Sequence, residues 1–253
     1  MSWDPEHYLR FADERTRPAF ELVQRIENET PGRVIDLGCG PANSTAVLAA
    51  RWPEAVIEGL DSSPEMIEKA RRAGLRARFS VADIEDWQPA VAYDVVYSNA
   101  TLQWLPDHPV LLPRLMAGVA PGGSFAFQVP HNQDAPSHEL MREVGASGPW
   151  SAKLRNVRGV SVLSADAYYG ILSPFARTLD IWETEYLHVL DGEDPVYRWV
   201  GATGLRPYAQ ALDGGEREAF LSAYRARLRE AYPQRPDGKT LFAFKRLFLV
   251  LRK

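Results

Sequence analysis

The residues of this chain best suited to chemistry are two carboxylates and two glycines, set as Asp36-Leu37-Gly38-Cys39-Gly40 with Asp61 further on. Glycines at 38 and 40 let the backbone turn tightly and approach a ligand where a Cβ would collide. An acid about 20 residues beyond such a turn, at the end of the next strand, is placed to accept hydrogen bonds from ribose hydroxyls. A dinucleotide-binding turn would need a third glycine at position 43, where the chain has Asn43. The pyrophosphate-binding pattern is therefore incomplete, and the loop suits a nucleoside ligand without phosphates. A nicotinamide-dependent dehydrogenase is the weakest reading for the same reason. Cys39 lies inside the turn, where a small apolar residue packs, so it is not placed as a nucleophile.

Those residues need elements to hold them. Val34, Ile35 and Leu37 suit a buried parallel strand ahead of the glycines. Asn43, Ser44 and Thr45 are of the types that cap a helix, here read over Ala46–Arg51. Val56–Leu60 is a second strand delivering Asp61, and Pro64–Ala73 a helix opened by proline. Arg76–Val81 and Tyr93–Ser98 read as strands and His108–Val119 as a helix. The turn Ala120-Pro121-Gly122-Gly123 then leads into the strand Ser124–Val129. Strict alternation of strand and helix implies an α/β fold with a parallel sheet and right-handed crossovers. Ahead of it, residues 3–26 read as helix, with Pro18 marking a break or the first turn of a second helix. Phe20, Val23 and Ile26 recur at helical spacing and should pack on the sheet.

Beyond Pro130 the alternation becomes irregular. Residues 134–160 contain helix and loop, with Lys153, Arg155 and Arg158 close together. Ala165–Phe175 reads as helix, Thr178–Leu190 as strand, Pro195–Tyr232 as two helices and Phe242–Leu251 as the last strand. Two segments, roughly 133–160 and 191–240, are expected as inserts forming a cap over the strand ends.

The motifs Asp36–Gly40, Asp61-Ser62-Ser63 with Met66, and Ala82-Asp83-Ile84 resemble those of class I S-adenosylmethionine-dependent methyltransferases. Within that group the chain is similar to the trans-aconitate 2-methyltransferases over almost its full length. The similarity includes Tyr8–Ala19, Asn99–His108, Val200–Pro207 and Phe244–Val250. The resemblance implies a Rossmann-like fold with a mostly parallel seven-stranded sheet whose last strand is antiparallel. It implies one methyltransferase domain over 1–253: a helical lid at 1–30, a cofactor core at 31–132, the two cap inserts and a last strand at 241–253. S-adenosylmethionine would be held by Tyr8, Arg15, Asp36, Gly38, Cys39, Gly40, Asn43, Asp61, Ser62, Met66, Ala82, Asp83, Ile84, Asn99, Ala100 and Trp104. In this reading Asp61 takes the ribose and Asp83 the adenine amino group, while Tyr8 and Arg15 lie in a lid; a solvated lead-in is the other fate of that segment.

The substrate implied is a small anionic carboxylic acid, trans-aconitate, methylated on a carboxylate oxygen. All three of its carboxylates are ionised at neutral pH, with reference values near ~4. The nucleophile is then already deprotonated, so transfer needs positioning and desolvation rather than a general base, and no catalytic dyad or metal is expected. The two remaining carboxylates need fixed donors, ideally arginine forks. Candidates are Gln103, His131, Asn132, Tyr168, Tyr169, Trp199 and Arg206, with His131 and Arg206 preferred. Asn99–Trp104 is not the Asn-Pro-Pro-Tyr type of loop used on amino nitrogens. Two other readings stand beside this one: a methyltransferase for another small acid, and a non-catalytic nucleotide-binding module.

Composition sets outer limits. With 253 residues and a net charge of −4 the chain is not built to bind a long nucleic acid backbone. A single cysteine excludes an internal disulfide framework. No apolar run reaches spanning length and no basic, apolar leader is evident, which points to a cytosolic protein without a membrane partner.

Overall fold

The structure, a computed structural model, describes residues 16–157, 159–201 and 204–253. Its first helix, α1 (Arg17–Gln24), carries Pro18 in its first turn, where a missing N–H costs nothing. The helix buries Ala19, Leu22 and Val23, and Ile26 beyond it is also buried. Phe20 is only half-buried, so the inward face is turned by one residue from the stripe expected.

Strands and helices then alternate, except that only a 3₁₀ turn at Ile84–Asp86 separates the third and fourth strands: β1 (Arg33–Leu37), α2 (Asn43–Arg51), β2 (Val56–Asp61), α3 (Pro64–Arg72), β3 (Ala77–Val81), β4 (Tyr93–Asn99), α4 (His108–Ala117) and β5 (Val119–Pro130). The chain continues through α5 (Pro136–Ser147), α6 (Ser151–Leu154), α7 (Ala165–Leu172) and β6 (Thr178–Leu190). Helices α8 (Pro195–Gly201), α9 (Arg206–Gln210) and α10 (Gly214–Ala231) precede β7 (Thr240–Arg252). Three helices thus stand where two were expected. The extra break falls between Gln210 and Gly214, and Gly214, which opens the last helix, takes φ +47. Likewise α7 stops at Leu172, because Pro174 cannot continue it and the chain passes into a single 3₁₀ turn at Ser173–Phe175.

The seven strands form one sheet in the order β3-β2-β1-β4-β5-β7-β6. The pairs β2–β3, β1–β2, β1–β4 and β4–β5 are parallel. β7 runs antiparallel to β5: Gly122 N–H donates to Lys253 O, whereas His131 N–H donates to Lys245 O, so one strand ascends as the other descends. β6 is antiparallel to β7 as well, since Arg177 bonds Arg252 and Trp182 stacks on Phe248. Within β5 the register with β4 shifts between Tyr93↔Val119 and Val95↔Ser124, which is where the Pro121-Gly122-Gly123 turn bulges out. Gly122 adopts φ +73 there.

Two compact units share these elements. The first comprises residues 16–130, Ser161–Thr184 and Leu247–Lys253. Its core includes Ile35, Leu37, Val96, Leu112, Phe125, Phe127, Leu247 and Leu249, all almost wholly buried. The second comprises His131–Val160 and Glu185–Arg246 and is organised around Trp150, Phe220, Tyr224, Phe242 and their neighbours. The irregular segments at roughly 133–160 and 191–240 lie in this second unit, together with the adjoining strand residues. No helix among the described residues is long and apolar enough to cross a membrane.

Candidate functional site

The loop after β1 is built onto the end of β2. Gly38 N–H and Cys39 N–H both donate to Leu60 O, at 2.8 and 2.9 Å. Gly38 adopts φ +75, and a Cβ there would lie 2.1 Å from Thr101 Cγ2. Thr101 Oγ1 also donates to Gly38 O at 3.0 Å, so glycine at 38 is required by both dihedral and space. Gly40 differs: it adopts φ +54, but a Cβ would meet nothing within 4 Å. Its N–H donates to Asp61 Oδ2 at 3.0 Å. The outer face of Gly40 is thus an open cradle beside an acid.

Asp61 ends β2 half-buried. Its Oδ1 accepts from Ser63 N–H at 2.9 Å, and the cap of α3 falls to Ser63, whose hydroxyl accepts from Met66 N–H. Asp61 is therefore not the helix cap. A carboxylate offers about four lone-pair directions, so these two backbone bonds leave acceptor capacity. Ser62 is exposed and Met66 half-buried next to it. Ala82 N–H donates to Asp61 O at 3.1 Å, which ties the chain after β3 to the same corner. Asp83 is exposed and accepts from Glu85 N–H, opening a 3₁₀ turn that buries Ile84.

Asp36 lies beneath the loop, fully buried. Its Oδ2 accepts from both Ser44 Oγ and Thr45 Oγ1 at 2.7 Å. Burial raises this carboxyl from 3.8 to about 6 against the lowering effect of the two hydroxyls. This corrects the capping expectation: α2 is preceded by Ala42 in the αL conformation, without a side-chain cap. The hydroxyls of Ser44 and Thr45 turn inward because a buried carboxylate is the stronger acceptor. Asn43 is left exposed. Cys39 is buried, packed towards Gly59, and its thiol is pushed up chiefly by burial and then by Asp36 and Asp61. A thiol held protonated is no nucleophile.

At the end of β4, Ala100 adopts φ +54 and its N–H donates to Gln128 O. Gln103 is buried, its Nε2 donating to Ala100 O at 2.7 Å. Among the described residues, two buried acceptors here, Asn99 Oδ1 and Gln103 Oε1, meet no donor. Trp104, by contrast, is 48% exposed. Such orphaned carbonyl oxygens suit a ligand that brings N–H donors.

In the first unit, then, Asp36, Gly38, Cys39, Gly40, Asp61 and Ala82 come together in one bonded corner, and Asn99 joins through the Thr101 contact to Gly38. Tyr168 does not stand open to a ligand. Its ring is wholly buried, and its hydroxyl receives Leu163 N–H at 3.3 Å and meets His108 Nδ1 at 2.8 Å. His108 Nε2–H in turn donates to Leu102 O. Burial lowers the His108 pKa, which suits the neutral tautomer this chain of bonds requires. Tyr169, the next residue, is 56% exposed.

The other candidates belong to the second unit. Asn132 is buried and both ends of its amide are engaged by the Lys245 backbone, at 2.9 and 2.8 Å. His131 is half-buried beside it. Trp199 packs its ring 4.6 Å from that of His188 and within 6 Å of Phe242 and Phe244. Arg206 is exposed at the start of α9. Lys153, from the basic cluster, is paired with Glu216, while Arg158 lies outside the described residues. So do Tyr8 and Arg15. Thr101, Ser44 and Thr45 act here by contacts 8 to 63 residues distant. No group of three His, Cys, Asp or Glu among the described residues could hold a metal ion.

A family model described as a methyltransferase domain matches residues 8–174. A trans-aconitate 2-methyltransferase of Azoarcus sp. (strain BH72) is 49% identical over 250 residues, covering 98% of each chain. One from Methylobacterium radiotolerans is 50% identical over 255 residues, covering 99% of this chain and 98% of the relative. Among solved structures, the YcgJ protein from Bacillus subtilis superposes with a TM-score of 0.62 at 16% identity, covering 94% of this chain and 98% of its own. That likeness concerns the fold, whereas the sequence kinship spans the first unit and the second alike. The chain belongs to the trans-aconitate 2-methyltransferase family.

Proposed function

We propose that the protein transfers the methyl group of S-adenosylmethionine to a carboxylate oxygen of trans-aconitate, forming a monomethyl ester. The observation that carries this reading is family kinship over essentially the whole chain, both units included. The cofactor fits the residues present. The open face of Gly40 admits a ligand, Asp61 has acceptor capacity left for ribose hydroxyls, and Asn99 Oδ1 and Gln103 Oε1 suit an ammonium donor. Asp83 is exposed for an adenine amino group. Tyr8, Arg15, Ser62, Met66, Ile84, Ala100 and Trp104 complete the proposed cofactor set. When bound, S-adenosylmethionine would supply a methyl carbon open to in-line attack by a carboxylate oxygen, the C–S bond breaking as the O–C bond forms and the sulfur leaving as the thioether of S-adenosylhomocysteine.

The chain's own part is positional. Backbone N–H groups and Asp61 fix the nucleoside, and the buried end of β4 excludes water from the reacting oxygen. Arg206 and His131 are the preferred partners of the non-reacting carboxylates, with Gln103, Tyr169 and Trp199 as further candidates. The substrate is a small anion, no nucleic acid or membrane takes part, and the protein works in the cytosol.

The direct test is methyl transfer from labelled S-adenosylmethionine to trans-aconitate, with cis-aconitate, citrate and isocitrate in parallel. Selective labelling of trans-aconitate is expected. Tight cofactor binding with no acid labelled would leave the cofactor assignment standing and remove the substrate.

A further inference from the structure

The segment after β3 presents Asp83 on an exposed position, at the start of a 3₁₀ turn only three residues long, Ile84–Asp86. Such a turn has poor hydrogen-bond geometry of its own and needs outside support to hold one direction. The support comes from α4. Arg114, half-buried in the last turn of that helix, donates from Nη1 to Glu85 O and from Nη2 to Ile84 O, the second at 3.3 Å. One planar guanidinium thus spans two successive carbonyls of the turn, which the single ammonium of a lysine cannot copy. Both bonds come from a charged donor and are the stronger for it.

The rest of the segment is held from the same side. Ile84 and Trp87 bury into the cluster that contains Leu111, Leu112, Leu115 and Met116 of α4. A Cβ at Gly118, which ends α4, would lie 2.6 Å from the Trp87 ring, so the helix end and the segment are in close contact. On the other side Ala82 N–H donates to Asp61 O at 3.1 Å. Asp83 therefore stands between a point pinned by β2 and a turn pinned by α4. Arg114 differs from its apolar neighbours in one respect. Among the described residues, its Nε is buried without an acceptor. A buried N–H left unpaired costs stability, so an arginine is a poor choice here for packing alone.

We propose that Arg114 is a positioning residue for the adenine end of the cofactor, fixing the Ile84–Asp86 turn so that the Asp83 carboxylate is preset for the 6-amino group. This rests on the cofactor reading and the role of Asp83 given above. An acceptor already in place spares the ligand the cost of ordering it. The arginine acts through the turn and forms or breaks no bond in the reaction.

The test measures Kd by calorimetric titration for S-adenosylhomocysteine and for its analogue lacking the 6-amino group of adenine. The proteins are wild type, Arg114→Met, Arg114→Lys and Tyr168→Phe, with melting temperatures taken alongside. Wild type should favour the amino-bearing ligand about tenfold. In Arg114→Met that ratio should fall to about two or less, through weaker binding of the amino-bearing ligand alone. Arg114→Lys keeps the charge and loses the fork, and its ratio should lie between. Tyr168→Phe weakens the same unit at the other end of α4, so it should melt lower and keep the wild-type ratio. If Arg114→Met does not fold, Arg114→Lys carries the comparison. A wild-type ratio in the Arg114 variants, or equal weakening of both ligands, would overturn the assignment. So would a ratio that collapses in Tyr168→Phe as well, since it would then follow stability alone. Failure of the wild type to tell the two ligands apart would remove Asp83 from the adenine site, and this assignment with it. Failure of the wild type to bind either ligand would remove the cofactor reading itself.

Discussion

Asp61 Oδ2 accepts the Gly40 N–H at 3.0 Å, so the acid that ends β2 and the glycine of the loop after β1 form one corner. The same carboxylate therefore shapes the loop and receives the ligand proposed to sit on it. Replacing it by an amide, Asp61→Asn, removes charge and one acceptor while keeping the volume. The cofactor should bind 10- to 100-fold more weakly, about 1.5–3 kcal/mol, as read by calorimetric titration. Unchanged affinity would remove Asp61 from the binding site.

Gly38 and Gly40 should respond differently to alanine although both adopt positive φ. At 38 the new Cβ collides with Thr101, so Gly38→Ala should lower the melting temperature and the yield of folded protein. At 40 the Cβ enters open space, and the cost to folding is the left-handed dihedral alone, about 1–2 kcal/mol. Gly40→Ala should nevertheless weaken cofactor binding sharply, because the added methyl fills the cradle. Equal effects of the two substitutions on folding would contradict this division.

Much of the corner was legible in sequence because its signals are local. Glycines and an acid separated by one helix and one strand mark out the bonded corner before any contact is known. The strands were legible for the same reason, as short apolar runs between breakers. What the sequence did not carry is pairing over distance. Ser44 and Thr45 read as caps, since nothing local shows that the Asp36 carboxylate lies beneath them. Tyr168 read as a ligand contact because its partner His108 is 60 residues away.

Asp36 should give the protein a measurable pH signature. Its folded pKa, about 6, lies above 3.8, the ordinary value expected when unfolded. Between those values the folded state binds more protons, so this group's contribution to stability falls as pH rises and is level above the window. The change amounts to about 3 kcal/mol. His138 acts in the opposite sense: burial lowers it to about 4, so its contribution rises with pH between about 4 and about 6.5. The raw profile mixes both, and the informative quantity is the stability of Asp36→Asn minus wild type. That difference should grow in favour of the variant from pH 4 to pH 7 in urea titrations. A constant difference would rule out a titrating Asp36.

Tyr168 offers the sharpest separation of packing from binding. Its hydroxyl links Leu163 N–H to His108 Nδ1, and removing it leaves a buried donor and a buried acceptor unpaired. Tyr168→Phe should therefore cost about 1–3 kcal/mol of stability. The KM for the acid should stay within twofold, because the ring is wholly enclosed by the protein's own core. Tyr169 is more than half exposed on the following position of the same helix. Tyr169→Phe should leave stability within about 0.5 kcal/mol, as most surface changes do. A rise in KM for the first variant with unchanged stability would return Tyr168 to the substrate site. It would also require the His108 link to open when the acid binds.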